Sequence, residues 1–399
     1  MLNQSNISVI DTLRTFKQAN IPVCFLVPTE TGLKKSIMDA TASVREFLDS
    51  SRIHNFDKQL QGTGSKVLIK TVLISSEEII ETQTSLYRPE TKQGDPRIWI
   101  YSLGQFAQKG DLLAIAENNR ELVVVNCSNN DLSALLDSSN PLFSKLFGAS
   151  VVSRSENVSE LLDMMKNIAA KGYIRTLRAG DTGVGFTLET LLGIPANSSK
   201  APDYKGIEIK SGRQKSHRSG RATVFSQVPN WSISRLKSSK EILLSRGRYH
   251  EQKKRLQLFH ELSAIKTNSY GMKLNLDFNS SLLHQVCIEH EQETNDVCWE
   301  FHVLRKRLAE KHRETFWVTA KTKGKSGDLD EEFFYSNIKY TSDADTSVFP
   351  TLIETGIVTL DYTIKEIKSG AAKDQGYLFK IASKNLDLLF TRVEHYDLI

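Results

Sequence analysis

Apolar and polar positions follow two rhythms along the chain. Between residues 66 and 127 lie four short runs, KVLIKTVLI (66–74), RIWIYSL (97–103), DLLAIAE (111–117) and ELVVVNC (121–127). They are rich in β-branched residues and separated by polar or glycine-bearing turns such as ENNRE (117–121), a pattern that predicts antiparallel strands. Helical spacing shows at 7–18 and 36–48. No helix of useful length separates the last three runs, so residues 1–150 read as a β-rich mixed domain rather than a Rossmann unit.

The composition turns Ser- and Asn-rich between about 128 and 157, which places a domain boundary there and a second domain over 155–399. That domain opens on ELLDMMKNIAAKG (160–172), a helix capped by Asn157 or Ser159 and ended by Gly172. A short helix is expected over about 183–192, with Asp181 or Thr182 as cap and Gly193 as stop. Extended segments follow around Asp203 and over 206–211. HEQKKRLQLFHEL (250–262) reads as an amphipathic helix. VCWEFHVLRKRLAEKH (297–312) reads as another, with Val297, Phe301, Leu304 and Leu308 on one stripe. Strands are expected at 315–323, 358–364, 377–382 and 387–396, so the pattern as a whole is mixed α/β (α+β).

Composition narrows the class without naming a function. At 399 residues, with 39% hydrophobic and 25% charged, the chain is long enough for two or three domains with buried cores. The net charge of +5 is too mild to imply a nucleic-acid partner by itself, so the placing of the cations matters more. Cys24, Cys127, Cys287 and Cys298 lie far apart with no CxxC pair, which fits free buried thiols rather than a disulfide framework or a zinc site. His284 and His290 near Cys287 form no convincing metal-ligand pattern and read as structural. No run approaches the roughly 18 apolar residues of a membrane span, and the N-terminus carries no signal-peptide pattern. A cytoplasmic protein without membrane contact is the expectation.

One window concentrates chemistry: GDTGVGFTLETLLGIPANSSKAPDYKGIEIKSGR (180–213). In GIEIKS the side chains alternate, so Glu208 and Lys210 share one face while Ile207 and Ile209 point into a core. Tyr204, Lys205 and Gly206 can bend the chain back and set Asp203 beside Glu208. Two adjacent carboxylates repel unless a cation lies between them, and Mg²⁺ is commonly held by one or two carboxylates plus waters and phosphate oxygens. Lys210 on the same face could hold or deprotonate an attacking water, with Glu189 as a further acidic group. D-x4-E-x-K also occurs on ordinary solvated strands, so spacing alone decides nothing. The next segment, KSGRQKSHRSGR (210–221), carries five Lys/Arg and His217 without an acid, where a phosphate backbone would have to lie. The turn-rich loop LYRPETKQGDPR (86–97), with Arg88, Lys92 and Arg97, reads as a solvated loop or a nucleic-acid contact. Trp231 and Tyr249 read as packing anchors or as surfaces on which bases could stack.

These residues carry a resemblance. The segment from GDTGVGFTLE through PDYKGIEIKS is similar to the core of the MvaI/BcnI type II restriction endonucleases, which have a MutH-like restriction-endonuclease fold. WEFHVLRKRLAEKHRETFWVTAK (299–321) resembles their helix-then-strand, and KDQGYLFKIA (373–382) a late strand that carries base-reading residues. The resemblance covers about 155–399. It implies Asp203 and Glu208 as metal ligands, Lys210 as catalytic lysine, Glu189 as auxiliary acid, and Lys311 at the phosphate, with Lys306 as its alternative. It implies Mg²⁺-dependent hydrolysis of double-stranded DNA to 5′-phosphate ends, at short sites of the CC-N-GG type, by a monomer or weak dimer. Arg213, His217, Arg218 and Arg221 in the basic segment, with Lys373 and Gln375 in the late strand, become candidate DNA-binding residues. Gln375 stands where a histidine is usual in the family, which bears on base readout rather than cleavage. Residues 1–150 lie outside the resemblance; a B3-like domain binding a second DNA site is an expectation by analogy. A MutH-like nicking enzyme for repair and a non-cleaving DNA-binding protein are the alternatives.

Overall fold

The computed structural model describes residues 8–75, 78–91, 94–137, 139–141, 147, 156–194, 202–214, 220–278, 280–367 and 370–398. Two compact units divide the chain, and both are discontinuous in sequence. One holds Met1–Ala149, Thr223–Arg305 and Asp345–Ile381; the other holds Ser150–Ala222, Lys306–Ala344 and Ala382–Ile399.

In the first unit, seven strands form one sheet: β1 (Cys24–Leu26), β2 (Met38–Asp39), β3 (Val67–Ile74), β4 (Ile79–Tyr87), β5 (Arg97–Ile100), β6 (Leu113–Asn118) and β7 (Glu121–Asn126). Their spatial order is β1-β6-β7-β3-β4-β5-β2, antiparallel except where β3 runs parallel to β7. The four runs expected as strands all form strands; β4 joins them because its outward half, IIETQ, hides its alternation. A helix at Val9–Gln18 matches the N-terminal periodicity, whereas the 36–48 pattern resolves into the edge strand β2 and a helix, Ala42–Ser50, capped by Thr41. Leu73, Leu86, Ile98, Ile115 and Val124 pack with Val44 and Phe47 in its core.

The same unit holds most of β10 (Arg221–Ser226) and β19 (Ala372–Ala382), together with β11 (Arg248–His250), β12 (Arg255–Leu262) and β18 (Val358–Glu366), in the order β10-β19-β18-β12-β11. The amphipathic helix expected at 250–262 is therefore a correction. His250 ends one strand, a short turn covers Glu251–Lys253, and 255–262 is a strand paired along β18. Leu258, Phe259 and Leu262 fit a helical stripe, Leu256, Leu258 and Leu262 fit one face of a strand, and tertiary pairing decides between them. A third sheet joins β13 (Met272–Asp277), β14 (Leu282–Glu289) and β15 (Gln292–Glu300). Val297 thus belongs to a strand, and the helix expected from 297 begins at Phe301. All four cysteines are free and buried.

The second unit is a mixed sheet in the order β20 (Phe390–Asp397), β17 (Glu332–Ala344), β16 (Glu314–Lys323), β9 (Ile207–Arg213), with the short β8 (Ile174–Arg175) paired to β17. Strand β9 lies at the edge and runs parallel to β16. Its core face, Ile207 and Ile209, packs with Phe316, Val318, Phe333 and Tyr335. Over that face lie the helix Glu156–Ala169, through Val158, Leu161 and Met165, and the helix Gly183–Leu191, through Val184 and Leu188. Glycines at positive φ follow each helix, Gly172 and Gly193, as the sequence indicates. The Tyr335 hydroxyl donates to the Val184 carbonyl at 2.8 Å and ties the second helix to the sheet.

Candidate active site

The site begins with a tight turn. Tyr204 and Ile207 exchange both backbone hydrogen bonds, at 2.9 and 2.7 Å, across Lys205 and Gly206. Both turn residues take positive φ, 43° and 93°, a conformation that glycine adopts without strain and lysine does not. The turn folds Asp203 back along β9, where its Oδ2 accepts the Ile209 backbone N–H at 2.8 Å. Because β9 is an edge strand, that N–H would otherwise face outward without a sheet partner.

One strand position away, Glu208 is only 2% exposed. Its Oε1 accepts from two ammonium groups, Lys210 Nζ at 2.9 Å and Lys311 Nζ at 2.7 Å. Its Oε2 is buried and has no hydrogen-bond partner among the described residues. An unpartnered carboxylate oxygen in a buried position is expensive, so this atom wants a ligand. Lys311 is the last residue of the helix Phe301–Lys311. The next residue, His312, is fully buried, shares a 2.9 Å hydrogen bond with Thr315 Oγ1 and stacks on Trp317. Thr315 stands directly opposite Glu208 in the β16–β9 register, which fixes the helix end over the carboxylate. Lys306, the alternative, is exposed and lies 3.8 Å from Glu310.

Glu189 comes from the helix Gly183–Leu191, and the fields of neighbouring groups reveal its company. Burial raises the Asp203 carboxyl above its ordinary value; the Ile209 N–H opposes the rise, Glu208 adds to it, and Lys311 and Lys210 oppose it. Burial likewise raises Glu189, with Asp203 the next cause, then Arg178 opposing. Three carboxylates and two lysines therefore share one electrostatic neighbourhood. No group of three His, Cys, Asp or Glu side chains among the described residues is spaced to cage a metal alone. A hard divalent cation needs less, since one or two carboxylates with water and phosphate oxygens suffice. The orphaned Oε2 of Glu208 beside a destabilised Asp203 carboxylate fits such an ion.

The remaining candidates are dispersed. Arg213 forms a bidentate pair with Glu331 at 2.6 and 2.7 Å and donates to the Gly180 and Asp181 carbonyls, so its guanidinium ties the start of the Gly183–Leu191 helix to β9. His217 and Arg218 lie outside the described residues, as does Lys92. Arg221 is exposed at the start of β10. Lys373 and Gln375 are exposed on β19 in the other compact unit. In the 86–97 loop, Arg88 donates to the Gly94, Phe56 and Gln59 carbonyls and Arg97 pairs with Asp39. Trp231 sets its edge against Tyr377, while Tyr249 is exposed. Sequence reading missed Glu331, His312 and Arg178, whose guanidinium lies 3.7 Å over the Phe186 ring. A buried acid opposite an arginine 118 residues away leaves no local signal.

The sequence model of the MvaI/BcnI restriction endonuclease family matches residues 162–390. Among solved structures, restriction endonuclease MvaI in complex with its cognate DNA substrate is similar at 24% identity and a TM-score of 0.53, covering 62% of this chain and 100% of that one. MvaI in the absence of DNA aligns at 22% identity with a TM-score of 0.38, over 61% of this chain and 99% of that one. No curated protein matches. No helix among the described residues is long and apolar enough to cross a membrane.

Proposed function

The chain belongs to the MvaI/BcnI restriction endonuclease family and is a type II restriction endonuclease, and we propose that Asp203, Glu208 and Lys210 form its Mg²⁺-dependent cleavage centre, with Lys311 and Glu189 supporting it. The observation that carries this reading is the buried Glu208, which accepts two lysines on one oxygen and leaves the other without a partner among the described residues, beside Asp203. Asp203 and Glu208 would hold the ion, which when bound places positive charge on the scissile phosphate and acidifies the attacking water. Lys210 holds that water in line with the phosphorus and offsets the charge of the pentacovalent transition state. Attack forms the new P–O bond, the bond to the 3′ oxygen breaks, and the products are a 3′-hydroxyl and a 5′-phosphate. Lys311 orients Glu208 through their 2.7 Å contact while offering N–H groups toward the phosphate side. Glu189 accepts a proton or a water at the margin of the cluster.

Residues 1–150 act as an accessory module that binds a second DNA site, Arg221, Lys373, Gln375 and the His217–Arg218 segment read bases, and Arg213 sets the strand from which that segment leaves. The enzyme works in the cytoplasm as a monomer or weak dimer on sites of the CC-N-GG type. Plasmid cleavage by the purified protein with Mg²⁺, followed by sequencing of the ends, tests the activity and the site together. Asp203→Ala should abolish cleavage and keep DNA binding; undiminished cutting by that variant sinks the assignment. A second site supplied in trans should change the cleavage rate if 1–150 binds DNA, and a flat response refutes that role.

A further inference from the structure

The face that carries Glu208 and Lys210 does not end with β9. Along the parallel pairing, Glu208 stands opposite Thr315, Lys210 opposite Trp317 and Gly212 opposite Thr319. Cross-strand partners share a face, and alternate residues of one strand return to it. The face therefore continues along β16 to Lys321 and Lys323, while Phe316, Val318 and Ala320 are buried on the other side. Lys321 and Lys323 rest on aromatic rings. Lys321 Nζ lies 5.7 Å from the Phe334 ring centroid, and Lys323 Nζ lies 3.8 Å from that of Tyr173. The two rings themselves pack at 5.5 Å.

That support differs from an ion pair in one respect. Lys205, Lys325 and Lys339 of this unit are neutralised by Glu160, Asp328 and Asp387. A ring face orients an ammonium without cancelling its charge or using up its N–H donors. Exposed Arg175 on β8 adds a third cation, and Glu332, opposite both Lys323 and Arg175, is the one acid in these pairings. At about 3.3 Å per residue, Lys321 and Lys323 stand about 13 and 20 Å along the strand from the level of Lys210. Each DNA strand places one phosphate per about 3.4 Å of helix axis, so that span corresponds to about four to six phosphates.

We propose that Lys321 and Lys323, propped by Phe334 and Tyr173 and joined by Arg175, form a phosphate track that carries the DNA backbone away from the cleavage centre. The track rests on the nuclease reading of the site, and it is non-specific: it sets affinity and salt dependence, not sequence. Its test is fluorescence anisotropy of a random-sequence duplex of about 30 base pairs with the full-length protein, in chelator, between about 50 and 200 mM salt. Lys321→Gln/Lys323→Gln should lower the slope of log affinity against log salt by about two, since each lost phosphate contact removes about 0.9. Glu332→Gln should shift affinity the other way and bind more tightly. Lys321→Arg/Lys323→Arg should keep the wild-type slope, which a merely structural role for the ammonium groups would not require. An unchanged slope in the glutamine variant, with wild type binding and cutting DNA, overturns the track alone. Wild type that binds no duplex at any of these salt concentrations overturns both the track and the nuclease reading.

Discussion

Removing the Lys311 ammonium should cost stability and cleavage together, and the geometry sets the size of each. Lys311 Nζ lies 2.7 Å from Glu208 Oε1, and the two side chains are 16% and 3% exposed. At an effective dielectric constant of about 20 the bare attraction is about 6 kcal/mol, most of which repays the desolvation of the two charges. Charged hydrogen bonds of this kind retain about 1.5–3 kcal/mol net. Lys210 remains on the same oxygen at 2.9 Å, which keeps Glu208 compensated and places Lys311→Met near about 2 kcal/mol. If the cost comes from the pair, Lys311→Met should cost under about 0.5 kcal/mol once Glu208 is Gln, giving a coupling energy of about 1.5 kcal/mol or more in the double-mutant cycle. Urea unfolding read by tryptophan fluorescence suits this measurement, because Trp317 stacks on His312 next to Lys311. Cleavage by Lys311→Met should fall by about 10²-fold, as when one preorganised donor is removed from a transition state. A coupling energy below about 0.5 kcal/mol would mean that Lys311 packs at Glu208 without holding it.

Asp203→Asn should abolish cleavage yet raise the melting temperature in chelator at pH about 8. The folded carboxyl is raised by burial, so its contribution is present in full below the unfolded value of about 3.9 and lost as pH rises through the folded one. The gain should vanish near pH 3 and shrink when Mg²⁺ is added at neutral pH; a lower melting temperature at pH about 8 contradicts it. Gly206→Ala meets no atom of the described residues within 4 Å of the new Cβ, so its cost of about 1–2 kcal/mol is backbone strain, and kcat should fall as Asp203 shifts. Unchanged kcat would show that the turn does not set the carboxylate pair. Arg213→Lys cannot reproduce the two-pronged contact with Glu331 and should lose about 1–2 kcal/mol, read from the urea midpoint. An unchanged midpoint would remove the clamp.

Local chemistry was legible where one segment completes it. The turn at Lys205 and Gly206, the alternation of β9 and the helix between Gly183 and Leu191 each reside in fewer than ten consecutive residues. Lys311 could be named only through family resemblance, because its distance from Glu208 is closed by the pairing of β16 with β9 and by buried His312. Glu331 offered no cue at all, since an acid after Gly327, Asp328 and Asp330 looks like any polar turn until Arg213 reaches it. The 250–262 segment misled because Leu258, Phe259 and Leu262 suit a helical face while Leu256, Leu258 and Leu262 also fall on alternate positions of a strand. Only the register with β18 separates the two periods.

The position of β9 at the sheet edge explains why the acidic spacing takes the form it does. An edge strand leaves a row of outward N–H groups, and here Asp203 closes one of them at Ile209. A carboxylate that accepts a backbone N–H on one oxygen is tied to the strand, and this contact holds Asp203 alongside Glu208. The four-residue interval between them is then the length of the turn that brings an acid back to its own strand, not a requirement of the metal. Among the described residues β9 has no sheet neighbour on its far side, while along β16 the face of Glu208 and Lys210 continues to Lys321 and Lys323.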